Sequence, residues 1–364
     1  MELEHLLSAA ARLIAVRSTA ADPDALRRAL DVVVDLVGPG FVVERFSSGG
    51  KPSALIYRDR PRPRFRVILN AHLDVVAGDA VQFSARTEGA RLYGRGAHDM
   101  KVAALVLAQV FRDLAGELTY PIALQLVTDE EVGGRDGTGH QVALGVTGEF
   151  VIIGEQSGLR VVTESKGFVQ ARLHAVGRAA HAAYPWLGDN ALLRLTRSID
   201  RLLVRYPVAT SETWSTTVNV ARIETGNQTV NLVPADAEAW LDIRYPAGDT
   251  DFHGGTPDGI AGYLLEFCEP GVAVHIEQTA PPHRADPDCR EVRLLRSAAG
   301  RVGFSGDLLR KHGAADGRFY SERGINAVIF GPGGTGQHST DEYVDIETIV
   351  PYYRALADFL RHLS

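Results

Sequence analysis

The chain has 364 residues, more than a single hydrophobic core usually organises, so two domains are expected. Its composition, 45% hydrophobic and 23% charged, is that of a globular protein, and a net charge of -7 leaves no basic footprint for nucleic acid or an anionic membrane surface. No window approaches the roughly 20 apolar residues that span a bilayer. The two cysteines, Cys268 and Cys289, stand outside any CxxC pattern, which argues against a thiolate metal site or a disulfide framework.

The N-terminal MELEHLLSAAARLIAV is amphipathic and carries acids, so it predicts a helix over about 3–17 rather than a signal peptide, and the protein is read as cytoplasmic. A second helix is expected within 21–37, with Asp22 or Asp24 as its cap. FVVERF, SALIYR and FRVILNAH then read as strands. MKVAALVLAQVFRDLAG is apolar on nearly every side and predicts a buried helix. IALQLVTDE and EFVIIGEQ are further strands. Apolar strands alternating with helices predict an α/β fold, a mainly parallel sheet covered on both faces.

The pattern changes after Glu164. KGFVQARLHAVG alternates as a half-exposed strand does, a helix is expected over about 190–206, and STTVNVARIETG, VPADAEAWLDIRYP, GIAGYLLEFC and VAVHIEQT follow. That order, β-α-β-β-α-β, predicts a ferredoxin-like α+β domain. PPHRADPD then marks the return to α/β character. The expected organisation is a discontinuous α/β domain, 1–165 and 279–364, with an α+β domain, 166–278, inserted into it.

Ligands of α/β sheets gather beyond the carboxyl ends of the strands, so the polar residues that end each apolar run are informative. FRVILNA ends in His72 and, two residues on, Asp74. Asp99 follows LYGRGAH just before a helix. IALQLVT ends in Asp129, Glu130 and Glu131, EFVIIG in Glu155, and the glycine-rich INAVIFGPGGTGQ in His338. Five segments bringing histidine or carboxylate to one edge, with no thiolate, suit a pair of divalent ions, zinc first and cobalt or manganese next. Two ions about 3.5–4 Å apart share a ligand, and Asp99, with two oxygens, is the best placed to bridge. Glu130 and Glu131 project to opposite sides of an extended backbone, so one is expected to bind metal and the other to act as general base. Asp74 is expected to take the second N–H of His72.

These motifs, AHLDVV at 71–76, GRGAHDMK at 94–101, TDEEVGG at 128–134, GEQS at 154–157 and GQHSTDEYV at 336–344, resemble the M20 family of metallopeptidases and amidohydrolases; AHAAYPWLGDNA and NLVPADAEAWLDIR resemble its second domain. The resemblance covers nearly the whole chain. It implies that Asp99 bridges two metals, one completed by His72 and Glu155 and the other by Glu131 and His338, with Glu130 as general base, Asp74 orienting His72, and a cis peptide after Asp99. It implies that the inserted domain is a lid that also forms a homodimer, with His181 reaching the partner's active site to stabilise an oxyanion. Asn231 and Arg244 fall at lid positions that hold substrate oxygens. Where desuccinylases carry Arg-Arg-Gly this chain has Ser165-Lys166-Gly167, and it lacks their threonine in the segment that starts at Gly313, which weakens the case for a succinylated substrate; Lys166 and Gly313 are kept as substrate-binding positions. The three glycines before His338, Gly333, Gly334 and Gly336, suggest close backbone approach to a ligand. The remaining histidines, His253 among them, carry no supporting pattern. The expected activity is hydrolysis of the amide bond of an N-acylated amino acid or related small carboxylate. An exo-acting peptidase is the nearest alternative, and retention of Glu130 argues against a non-catalytic metal binder.

Overall fold

The computed structural model describes residues 2–252 and 254–363 and divides into two compact units. His253 lies outside the described residues. The larger unit comprises residues 2–164, 284–310 and 315–363. At its centre four parallel strands lie in the order Ile122–Val127, Phe65–His72, Gly148–Ile153 and Asn326–Ile329. The hairpin Val42–Ser48 and Lys51–Tyr57 adds an antiparallel edge beside Ile122–Val127, and Val161–Ser165 runs antiparallel beside Asn326–Ile329. Every residue of Ile122–Val127 is buried, as a strand covered on both faces requires. Helix Val102–Leu114 buries residues around most of its circumference and packs with Leu3–Ala15, Pro23–Val37 and Ile346–His362 in one continuous core. Asp22 caps the second of these helices by accepting from the Ala25 amide at 2.9 Å.

The register of the parallel strands decides where their polar ends fall. His72 stands opposite Val127, Asn70 opposite Ile153, and Ile153 opposite Ile329. All four strands therefore finish at the same edge, and the residues that follow them share it.

A small antiparallel sheet escaped the sequence reading because its strands have only two or three residues. It pairs Arg86–Glu88, Arg91–Tyr93, Tyr343–Asp345 and Gly334–Thr335. Residues 336–342, His338 among them, form the loop of the hairpin joining its last two strands.

The second unit comprises residues 165–283, apart from His253, together with 311–314. Its four strands pair antiparallel in the order Thr217–Glu224, Asp236–Tyr245, Gly167–Val176 and Val272–Ala280. Helices Ala191–Arg205 and Pro257–Leu265 bury their apolar sides with those strands in a separate core. Two expected boundaries shift. The last strand stays paired as far as Ala280 opposite Phe168, so the unit runs past 278, and Lys311–Ala314 belongs with it rather than with the C-terminal part of the larger unit.

Candidate metal centre

His72 is the last residue of its strand and is buried. Its Nε2 lies 3.0 Å from Asp99 Oδ1, and its Nδ1 lies 3.1 Å from the carbonyl oxygen of Asp74. The Asp74 carboxylate is 3.6 Å from the same nitrogen, too far for a hydrogen bond. The backbone carbonyl of Asp74 therefore takes the second imidazole N–H, and the carboxylate contributes charge nearby. Its two oxygens accept instead from the amides of Glu130, at 3.2 Å, and Glu131, at 3.0 Å. Asp74, fully buried, thus ties the end of one strand to the glutamate turn after its neighbour.

Asp99 is presented differently. Gly96, with φ of 83°, opens a tight turn through Ala97–Lys101, and a Cβ there would meet Lys101 Cδ and Val75 Cγ1 at 2.8 Å. The Asp99–Met100 peptide is cis. Asp99 faces two histidines with different oxygens. Oδ1 meets His72, and Oδ2 lies 3.5 Å from His338 Nε2, which is itself 3.0 Å from Glu131 Oε2.

Two groups of donor atoms result, one from His72, Glu130 and Glu155 and one from Asp99, Glu131 and His338, the atoms of each group lying within 4.8 Å of one another. Imidazole nitrogen and carboxylate oxygen at that spacing fit a zinc-like ion with ligands at about 2.0–2.2 Å after a small contraction. The adjacent glutamates do go to different groups, but not for the reason expected from sequence. Glu130–Val132 is a single tight helical turn rather than extended chain, and about three residues per turn rotate neighbours by about 120°. Geometry by itself offers Glu130 as a ligand alongside His72 and Glu155.

The electrostatics reflect the crowding of acids around the two histidines. Burial opposes a charge on His72, but Asp74 and Asp99 together raise its pKa well above 6.5. Asp99 and then Glu131 push His338 up to about 10. Burial, and next the charge of Glu155, raise Glu130 well above the usual carboxylate range. Asp129, for which the sequence suggested no role, rises to about 7 through burial and the nearby Asp316 and Asp74. Its Oδ2 accepts from the Asp136 amide at 2.7 Å, which closes the loop after the glutamates.

The remaining sequence candidates lie in the second unit. Lys166 is buried, with Nζ 2.6 Å from the Ser215 carbonyl and 3.3 Å from that of Thr213, and the same group lies over the Trp214 ring. Its ammonium holds the 213–215 turn. Gly313 is exposed, with open space where a Cβ would be, and it makes no packing demand. Arg244 engages both carboxylate oxygens of Asp242, at 2.6 and 2.9 Å, so an anionic ligand would compete with that pair. His181 and Asn231 are exposed and brought together, since the Ala182 amide donates to the Asn231 carbonyl at 2.9 Å. His181 Nδ1 accepts from the Ala183 amide, which leaves its proton on Nε2. The glycine demand before His338 is also internal: a Cβ on Gly334 would lie 2.3 Å from the Tyr343 carbonyl oxygen and 2.5 Å from His98 Nδ1.

Sequence reasoning passed over Glu342 and Arg95, both buried beside this centre. Both lie inside motifs that carry the family resemblance, GRGAHDMK and GQHSTDEYV, without a role being assigned to them.

The chain is similar to known proteins along most of its length. The description of peptidase family M20/M25/M40 matches residues 68–362. Among curated relatives, a succinyl-diaminopimelate desuccinylase of Acidiphilium cryptum is 29% identical over 95% of this chain and 94% of its own. A probable carboxypeptidase of Emericella nidulans is 33% identical over 80% of this chain and 74% of its own. Among solved structures, a tripeptidase from Staphylococcus aureus superposes with a TM-score of 0.81 at 18% identity over 99% of this chain and 98% of that one. A metallo-carboxypeptidase from Sulfolobus solfataricus gives 0.78, also at 18% identity, over 99% of each chain.

Proposed function

We propose, from the premise that the chain belongs to peptidase family M20/M25/M40 and is a metal-dependent hydrolase of amide bonds, that it holds two divalent ions and deacylates N-acylated amino acids or related small carboxylate-bearing amides. The observation that carries the two-ion reading is Asp99: its two oxygens face two different histidines, each with carboxylates of its own. Zinc is the expected metal. When bound, the ions supply polarisation of the scissile carbonyl and acidification of water.

The chain's own residues do the rest. Glu130 takes the proton of the attacking water and returns it to the departing nitrogen, so acid and amine leave with atoms balanced. A half-buried, acid-crowded position raises its proton affinity, which suits a group that must both accept and donate. Asp74 holds Glu130 and Glu131 through their amides and His72 through its carbonyl. His181 of the partner subunit in a homodimer points its Nε2–H at the developing oxyanion, a role its bonded Nδ1 and exposed ring support. Asn231 and Arg244 take the substrate's oxygens, Arg244 by exchanging Asp242 for the substrate carboxylate. Lys166 is turned to the Thr213 and Ser215 carbonyls, which favours an acyl group other than succinyl.

A second reading, removal of a terminal amino acid from a peptide, is favoured by the 33% identity to a probable carboxypeptidase. One panel separates the two. With zinc, cobalt or manganese added, the chain is expected to hydrolyse N-acetyl or other N-acyl amino acids faster than dipeptides with a free amine. The reverse order would establish the peptidase reading.

A further inference from the structure

We infer that Glu342, joined to Arg95, is a positioning residue that fixes Asp99 and His338 relative to one another. The inference rests on the two-ion reading above but concerns residues that hold the ligands rather than the ligands. Glu342 Oε1 accepts from the amides of His98, at 3.0 Å, and Asp99, at 3.1 Å. Its Oε2 pairs with Arg95 Nη1 at 2.7 Å, with both side chains nearly withdrawn from solvent at 1% and 4% exposure. The other guanidinium nitrogen of Arg95 lies 3.4 Å from the His338 carbonyl oxygen. One carboxylate thus reaches the backbone of Asp99 directly and that of His338 through a single arginine.

The backbone at His338 explains why such a tie is needed. Its φ is 63°, a left-handed conformation that strains a non-glycine residue and persists where the surroundings over-determine it. Half of the His338 side chain is exposed, so packing does not hold the ring. The hairpin loop is held instead from its far end. Glu342 directly precedes the strand Tyr343–Asp345, its carbonyl accepts from the Gly94 amide at 3.1 Å, and Gln82 bonds the Ser339 carbonyl at 2.9 Å. A buried ion pair carries a desolvation cost, so its placement here is better explained by geometry than by stability.

The test is zinc titration of the metal-free full-length chain by calorimetry, with the thermal midpoint followed in parallel. Glu342→Gln keeps an acceptor for the two amides but removes the negative charge that pairs with Arg95, and Arg95→Lys keeps the positive charge but loses the fork. Each is expected to lower the affinity of one zinc equivalent by about 10–100-fold, the range for residues that orient metal ligands. Glu342→Asp should recover part of the loss, and Glu342→Gln with Arg95→Lys should lose less than the sum of the singles. The core variant Leu360→Ala, remote from the centre, is expected to lower the midpoint but keep both zinc equivalents. Wild-type zinc affinity in both Glu342→Gln and Arg95→Lys overturns the inference. So does an equal loss of zinc in Leu360→Ala, because instability would then account for it. A wild-type chain binding fewer than two equivalents counts against the two-ion reading itself, which separates the two failures.

Discussion

Glu130 and Glu131 are chemically identical and adjacent, and their surroundings divide their work. Glu131 lies 3.0 Å from His338, whereas Glu130 groups with His72 and Glu155 and is pushed towards its protonated form. Glu130→Gln is expected to lower kcat by about 10²–10⁴-fold while zinc stoichiometry stays unchanged, read by steady-state kinetics and calorimetry. Loss of a zinc equivalent in that variant would make Glu130 a ligand. The raised histidines set a pH dependence with a definite sign. His338 rises from 6.5 to about 10 in the metal-free fold, so the folded chain holds that proton more tightly than the unfolded one. The stability it contributes is complete below about pH 6.5 and disappears as pH rises through about 10. His72 and Glu130, also raised, act in the same direction. Thermal midpoints of the metal-free protein should therefore fall between pH 6.5 and 10 as far as these groups decide. Zinc uptake should release protons, seen as a binding heat that changes with the ionisation enthalpy of the buffer; a buffer-independent heat would contradict the assignment.

At the scale of elements, the polar ends of apolar strands were legible because burial forces such strands to be apolar throughout and leaves chemistry to their last residues. His72, Glu130, Glu131 and Glu155 stood out in the sequence for that reason. The surroundings of Lys166 were not legible, because a lysine that ends against backbone carbonyls looks in sequence like one that ends in a pocket. Glu342 and Arg95 lie in motifs that stood out, but their pairing was not legible, because it spans 247 positions and is made by a hairpin whose strands are too short to show periodicity. Gly331 is a similar case. A Cβ there would lie 2.3 Å from the Glu155 carbonyl oxygen and 2.5 Å from that of Gly154, where two strand ends converge. Gly331→Ala should cost about 1–3 kcal/mol through the forced backbone shift, and it should weaken zinc binding by moving Glu155. Thermal melts and zinc titration check both, and an unchanged midpoint would show that the strand ends yield freely.

For the whole molecule, alternating strands and helices followed by the β-α-β-β-α-β stretch made both fold classes legible, since each class has its own hydrophobic period. The edges of the second unit were less so, because strand pairing continues through residues whose composition already resembles a linker, and because 311–314 joins it from far along the chain. Among the described residues no helix is long and apolar enough to cross a membrane. A homodimer is expected by sedimentation, and His181→Ala should then reduce kcat by about 10²–10³-fold with little change in KM, the scale of a lost oxyanion donor. An active monomer would remove His181 of the partner subunit from the mechanism. The central claim, an amide hydrolase that works through two ions, is tested most directly by the rate of N-acyl amino acid hydrolysis as zinc is added back to the chelated chain. The account predicts negligible hydrolysis without metal and a rate that reaches its plateau at two equivalents per chain; full activity in the presence of chelator, or a plateau already reached at one equivalent, would contradict it.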